Sequence, residues 1–214
     1  MEINALSHIA EILSNNKVDT FISNRSYCII DNNRQISSYT TLKKHLENRT
    51  FTTQELISIA PDSKLTTTWA FIFRDAVLKT LRFECITNGS DVPFCTFATL
   101  KSQSIYIDSM PIYNYRIRQN SLMRSNNHAK KANSHFKIAD IFYAKLQNET
   151  DKNLIKFYYY NIKQATKQLL LCLKNCDSTN LAFSKKDLAK LMSFVGIKYR
   201  LHYYFPKFFG LNLR

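Results

Sequence analysis

The pattern of the chain changes at Asn126, and no other feature restricts its fold as much. Before that point, short runs with strand character alternate with short amphipathic helical patterns; after it, the pattern is mostly helical. Alternation of this kind predicts an α/β fold for residues 1–125, a mixed sheet with flanking helices. Residues 126–214 are predicted to form a basic, mainly helical region. The charge divides at the same place. Residues 1–125 carry 14 Lys/Arg against 11 Asp/Glu, whereas residues 126–214 carry 16 against 5. Nearly all of the net charge of +14 therefore belongs to the second region. A concentration of cations on helices implies an anionic partner: lipid headgroups, nucleic acid or an acidic protein.

Along the chain, residues 4–15 read as a helix with Asn4 as N-cap and Leu6, Ile9, Ala10 and Leu13 at helical spacing. Residues 18–30 have strand character, and Asp31-Asn32-Asn33 reads as the turn of a hairpin. Thr52 or Thr53 caps a second helix with Leu56, Ile57 and Ala60 on its apolar face, ended by Pro61. Residues 66–73 are β-branched and aromatic and predict an extended segment; residues 74–81 predict a short helix. Residues 91–103 read as a helix with Asp91 at or beside its N-cap and Pro93 in the first turn, directing Phe94, Phe97, Ala98 and Leu100 to the core. A strand over 104–108 and an extended segment over 112–117 come next. SNNHAKKANSH reads as a linker or exposed loop, and helices are expected over 137–146, 152–175 and 184–195.

Several chemistries are excluded or disfavoured. With 3 glycines in the chain, and neither G-x-G-x-x-G nor G-x-x-x-x-G-K-[ST], a glycine-rich phosphate loop is not expected. The five cysteines (Cys28, Cys85, Cys95, Cys172 and Cys176) and five histidines (His8, His45, His128, His135 and His202) show no metal-ligand spacing, and read as buried, structural or surface residues. The odd cysteine count fits a reducing compartment. MEINALSHIAEIL lacks the basic start and apolar run of a signal peptide, and no run reaches the ~18 apolar residues that span a bilayer.

The densest group of candidate functional residues lies between Trp69 and Ser125. It comprises Trp69, the pair Phe73-Arg74, the box Ser90-Asp91-Val92-Pro93-Phe94, and the run Pro111-Ile112-Tyr113-Asn114-Tyr115-Arg116-Ile117-Arg118-Gln119-Asn120-Ser121-Leu122-Met123. In order and spacing these boxes resemble the acceptor-side half of family 2 glycosyltransferases, and the opening MEINALSHIAEILSNNKVDTFISN resembles the stretch just after the metal-binding strand in that family. The resemblance covers residues 1–125 and implies a partial GT-A-like sheet there. It also implies that Asp91 is the general base, removing the proton of an acceptor hydroxyl as that oxygen attacks the anomeric carbon. General-base chemistry needs a carboxylate within hydrogen-bond reach of that hydroxyl. On the residues alone, Asp91 reads better as a helix cap; the resemblance reverses that preference, and the two roles are compatible. The resemblance further implies that Arg116, Arg118 and Ser121 lie near donor or acceptor phosphate, for which guanidinium is well suited. An exposed basic loop accounts for the same residues. Trp69 is implied to pack under an acceptor sugar, with a core role as the alternative. One departure from the family pattern is Ser90, where an acidic residue often stands.

The complete family enzyme uses a divalent cation, Mg2+ or Mn2+, held by an Asp-x-Asp or Asp-Asp pair. In this chain no two of the ten aspartates are adjacent or two apart, so that ligand pair is absent. Glu149-Thr150-Asp151 is the nearest substitute and reads better as a helix cap. The expectation is an incomplete enzyme: a fragment, a split-gene product, or half of a complex with a separate N-terminal chain. Its partners would be a nucleotide-sugar donor, a glycan or lipid-linked acceptor and an anionic membrane surface, at the cytoplasmic face of the plasma membrane. A non-catalytic scaffold or pairing subunit is the alternative. A nucleic-acid-binding protein is a more distant one, because residues 1–125 are nearly charge-balanced and contain no nucleic-acid module.

Overall fold

A computed structural model describes residues 3–30, 33–37, 42–117, 127–174, 176 and 180–204. The chain divides into two compact units, Met1–Glu84 with Asp91–Ser121 and Cys85–Ser90 with Leu122–Arg214. The class is α/β, with two small mixed sheets.

The first unit runs in chain order through α1 (Ala5–Asn15), β1 (Thr20–Ser23), β2 (Ser26–Ile30), β3 (Asn33–Ser37), β4 (Arg49–Thr52), α2 (Thr53–Ile59), β5 (Phe71–Phe73), α3 (Asp75–Leu78), α4 (Asp91–Lys101), β6 (Ser104–Asp108) and β7 (Asn114–Arg116). One sheet has the order β4-β6-β1-β5, with β1 and β6 parallel and both outer strands antiparallel to their neighbours. All four residues of β1 are buried, as expected for a central strand covered on both faces. Phe21, Ile22, Ile105 and Ile107 are the fully buried hydrophobic side chains of the parallel pair. The second sheet, β3-β2-β7, contains the expected hairpin: β2 and β3 pair antiparallel and close at Ile30↔Asn33, while β7 adds parallel to β2.

Local chemistry sets the helix boundaries. Thr52 caps α2 through a capping box with Glu55, and Leu56 and Ile57 are its buried face. Asn4 stands at the N-cap of α1 in a left-handed conformation (φ 68°), but its side chain makes no capping bond, contrary to the sequence reading. The buried face of α4 also differs from expectation. Pro93, Cys95, Thr96, Ala98 and Thr99 are buried, while Phe94, Phe97 and Leu100 are only half-buried. Small residues allow close approach, and the Thr99 hydroxyl is satisfied within the helix by the Cys95 carbonyl at 2.8 Å. Phe94 instead stacks on the exposed Phe83 at 3.9 Å and meets Phe73 edge-on at 6.4 Å.

The second unit is helical: α5 (His128–Leu146), α6 (Lys152–Leu173), α7 (Lys185–Met192) and α8 (Ile197–Tyr204). The linker reading of SNNHAKKANSH is corrected from residue 128 onward. The Asn127 side chain accepts the Lys130 amide at 3.0 Å and starts α5, and Ala132 and Ser134 are buried. Phe142 and Tyr158, with ring centroids 6.3 Å apart, lie in the core between α5 and α6. Ser184 and Asp187 form a second capping box at the start of α7.

Candidate functional site

The first unit brings Trp69 together with the segment that carries Arg116. In open α/β sheets, ligands bind outside the carboxyl ends of parallel strands. Two links fix the direction of the helices. α1 precedes β1, and α4 precedes β6 by only two residues. The Thr20 and Ser102 hydroxyls lie 2.5 Å apart, and Asp19 Oδ2 accepts the Gln103 amide at 2.9 Å, so the last turn of α4 is pinned at the amino end of β1. The helix spans ~15 Å between this turn and its first residue, Asp91.

Asp91 is the first helical residue of α4, half-buried, and opens the turn that contains Pro93. Among the described residues its carboxylate makes no hydrogen bond or ion pair. Its charge acts one turn on: burial pushes the Cys95 thiol pKa up, and Asp91 raises it further, so Cys95 is an inert packing residue. Phe94, in that same first turn, packs against Phe73 of β5. β5 lies directly after the 3-10 turn Thr68–Ala70 that carries Trp69. The start of α4 and the Trp69 turn thus meet opposite ends of one short strand, the first at Phe73 and the second just before Phe71.

Trp69, the only tryptophan, stacks near-parallel on Tyr113 (4.9 Å, 19°) and on Tyr115 (5.6 Å, 24°). The tyrosines come after β6 and enter β7, whose pairing Ile29↔Arg116 leaves Arg116 exposed at the strand end. The structure therefore joins Trp69 to the Tyr-x-Tyr-Arg segment, which alternation along an extended chain could not reveal. Arg118 and Ser121 lie outside the described residues.

Sequence reasoning missed two constellations. At the carboxyl end of β6, the buried Asp108 and His8 of α1 are joined, Nε2 to Oδ2, at 2.6 Å. The histidines read as unpaired because this partner is 100 residues away. At the carboxyl end of β1, Arg25 forms a two-point ion pair with the buried Glu47, which also accepts Asn24 Nδ2 at 2.7 Å. Burial opposes ionisation of Glu47, but hydrogen bonds from Arg25 and Asn24 outweigh it and hold the carboxyl below its ordinary range. No sequence signal marks either pair.

No protein-family profile matches the chain, and no curated protein matches it.

The residues present do not fit a divalent-cation site of the Asp-x-Asp kind. Among the described residues no three His, Cys, Asp or Glu side chains cluster as ligands. Glu149 and Asp151 are engaged as expected for caps: Glu149 Oε1 accepts the Thr150 and Asp151 amides, and Asp151 Oδ1 accepts those of Asn153 and Leu154. The second unit holds a cavity of about 280 Å³ lined in part by Cys85, Lys130, Asn133, Ser134 and Lys137. Its polar groups are turned to internal bonds. Asn133 ties Asn180 and Ala182, Ser134 binds the Lys130 carbonyl, and Lys137 donates to the Cys85 carbonyl. Among the described residues, no helix is long and apolar enough to cross a membrane.

Proposed function

We propose that the first unit is the acceptor-side part of a GT-A-like domain, working in a family 2-type glycosyltransferase. The reaction transfers a sugar from a nucleotide-sugar donor to a glycan or lipid-linked acceptor. One observation carries the reading: Trp69 stacks on both Tyr113 and Tyr115, with Arg116 next along the same aromatic segment. Aromatic faces bind the apolar faces of sugar rings, and a carboxylate within hydrogen-bond reach of the bound sugar can take a hydroxyl proton.

In this reading Asp91 accepts the proton of the acceptor hydroxyl as its oxygen bonds to the anomeric carbon. The bond from that carbon to the nucleoside diphosphate breaks on the opposite side, inverting the configuration. Trp69 orients the acceptor ring, Arg116 and Arg118 neutralise phosphate, and Ser121 donates a hydrogen bond to it. Such enzymes use a divalent cation to supply positive charge for the diphosphate. Its ligand pair is not in this chain, so the proposed share of the work is acceptor binding and proton removal, at the cytoplasmic face of a membrane.

The lone tryptophan supplies the test. Titration with a panel of glycans and lipid-linked saccharides, read from Trp69 emission, is expected to give saturable binding that Arg116→Ala leaves in place and Trp69→Phe weakens when read by calorimetry. Absence of saturable binding across the panel, with nucleoside diphosphate present and absent, would sink the proposal.

A further inference from the structure

The second unit carries a charge pattern that the proposed transfer does not use. α6 contains no Asp or Glu, and its lysines recur at 152, 156, 163 and 167, with Lys174 as the C-terminal cap residue. At 100° per residue, these five fall within about 60° of the helix circumference, a single line along ~33 Å of helix. Tyr159 stands beside this line between Lys156 and Lys163; it is 43% exposed, and its ring also packs on Phe194 with centroids 5.0 Å apart. Most buried residues, Phe157, Tyr158, Ile162, Ala165 and Leu169 among them, face the other way; Leu170, at the angle of Lys152, is buried as well, and Lys163 and Lys167 are half-buried.

The unit's described carboxylates are committed elsewhere. Asp140 pairs with Lys190 at 2.5 Å, Asp151 caps α6, Asp187 closes the capping box of α7, and Glu149 binds two backbone amides. Among the described residues, none is paired with Lys152, Lys156, Lys163 or Lys174. Lys167 lies over the Tyr199 ring of α8, 5.1 Å from its centroid.

We infer that α6 lies along an anionic lipid bilayer, its lysines reaching headgroup phosphates and Tyr159 at headgroup depth. A straight row of cations with an interleaved aromatic side chain matches a plane of negative charge. Nucleic acid fits less well, because it would need aromatics arranged as successive stacking platforms, whereas those beside the row, Tyr159 and Tyr160, fall in a single turn. This inference is independent of whether the first unit transfers sugar.

The test uses the full chain with vesicles of phosphatidylcholine, alone or with one third phosphatidylglycerol. Co-sedimentation is expected with the mixed vesicles only, and is expected to weaken in high salt. K152Q/K156Q/K163Q/K167Q is expected to bind several hundred-fold more weakly, at about fivefold per lysine. The exposed quadruple K43Q/K44Q/K185Q/K186Q removes the same charge and is expected to stay within about tenfold of the unsubstituted protein. A measurement without variants protects against misfolding: mixed vesicles should shield Lys152, Lys156 and Lys163 from acetylation more than Lys185 and Lys186. Equal losses in the two quadruple variants, equal shielding of both lysine groups, or no binding to mixed vesicles would overturn the inference. So would tighter, equally stripe-dependent binding to a single-stranded oligonucleotide.

Discussion

Trp69 and Tyr113 lie face to face, 4.9 Å between ring centroids, although 44 residues separate them in sequence. Tyr113 also packs against the buried group Ala5, Ile9, Phe21 and Ile112, so one ring links the hydrophobic core to the indole. Such a link makes the position of Trp69 sensitive to its neighbour. Tyr113→Ala removes the ring that fixes the indole and should shift Trp69 emission to longer wavelength, with glycan affinity falling about tenfold. Affinity equal to that of the unsubstituted protein would separate the stack from sugar recognition.

Asp91→Asn tests the proposed base. The substitution keeps size and polarity but removes the basic oxygen, so transfer should fall by about 10²–10⁴-fold in a complex competent for donor binding. Stability should drop by less than about 1 kcal/mol, the value of a first-turn carboxylate against the helix dipole. Full transfer by this variant would leave Asp91 as a helix-terminal residue only.

Local signals in the sequence located most elements and few of their tertiary partners. The Thr52–Glu55 capping box, the hairpin at residues 30–33 and the strand Ser104–Asp108 were legible because neighbouring residues determine them. The first turns of α5 were missed because a polar, basic surface hides the two buried positions, Ala132 and Ser134, that hold them. The face of α4 was misjudged because size stood in for burial: the phenylalanines pack at the margin while alanine and threonines enter the core. His8–Asp108 and Arg25–Glu47 depend on chain crossings that no spacing rule encodes.

The Arg25–Glu47 pair anchors the end of β1. Glu47 is 5% exposed at its side chain and Arg25 30%, so Glu47→Gln leaves a guanidinium with part of its hydration and a buried amide in a carboxylate's place. Urea unfolding followed by Trp69 emission should show a loss of about 2–4 kcal/mol at neutral pH. Because the folded carboxyl titrates below its ordinary range, this stabilisation is present above about pH 4.5 and lost as pH falls through the lowered value. The difference between the variant and the unsubstituted protein should therefore narrow in strong acid. A constant difference down to about pH 2 would show that the charge of Glu47 contributes nothing.

His135 gives the second unit a pH dependence of its own. Burial, with Lys131 adding to it, pushes its pKa down from 6.5 to about 4. An unfolded chain takes up a proton near pH 6.5 while the folded helix resists until about pH 4, so stability falls progressively across that interval. The loss amounts to about 2 kcal/mol at pH 5 relative to pH 7, from one group. It is distinct from the Glu47 effect, which sets in only below about pH 4.5. His135→Gln cannot gain that proton and should flatten the decline between about pH 7 and pH 5, measured by far-UV circular dichroism, to which the helical second unit contributes strongly. An unchanged slope in this variant would mean that His135 charges as readily in the folded chain as in the unfolded one.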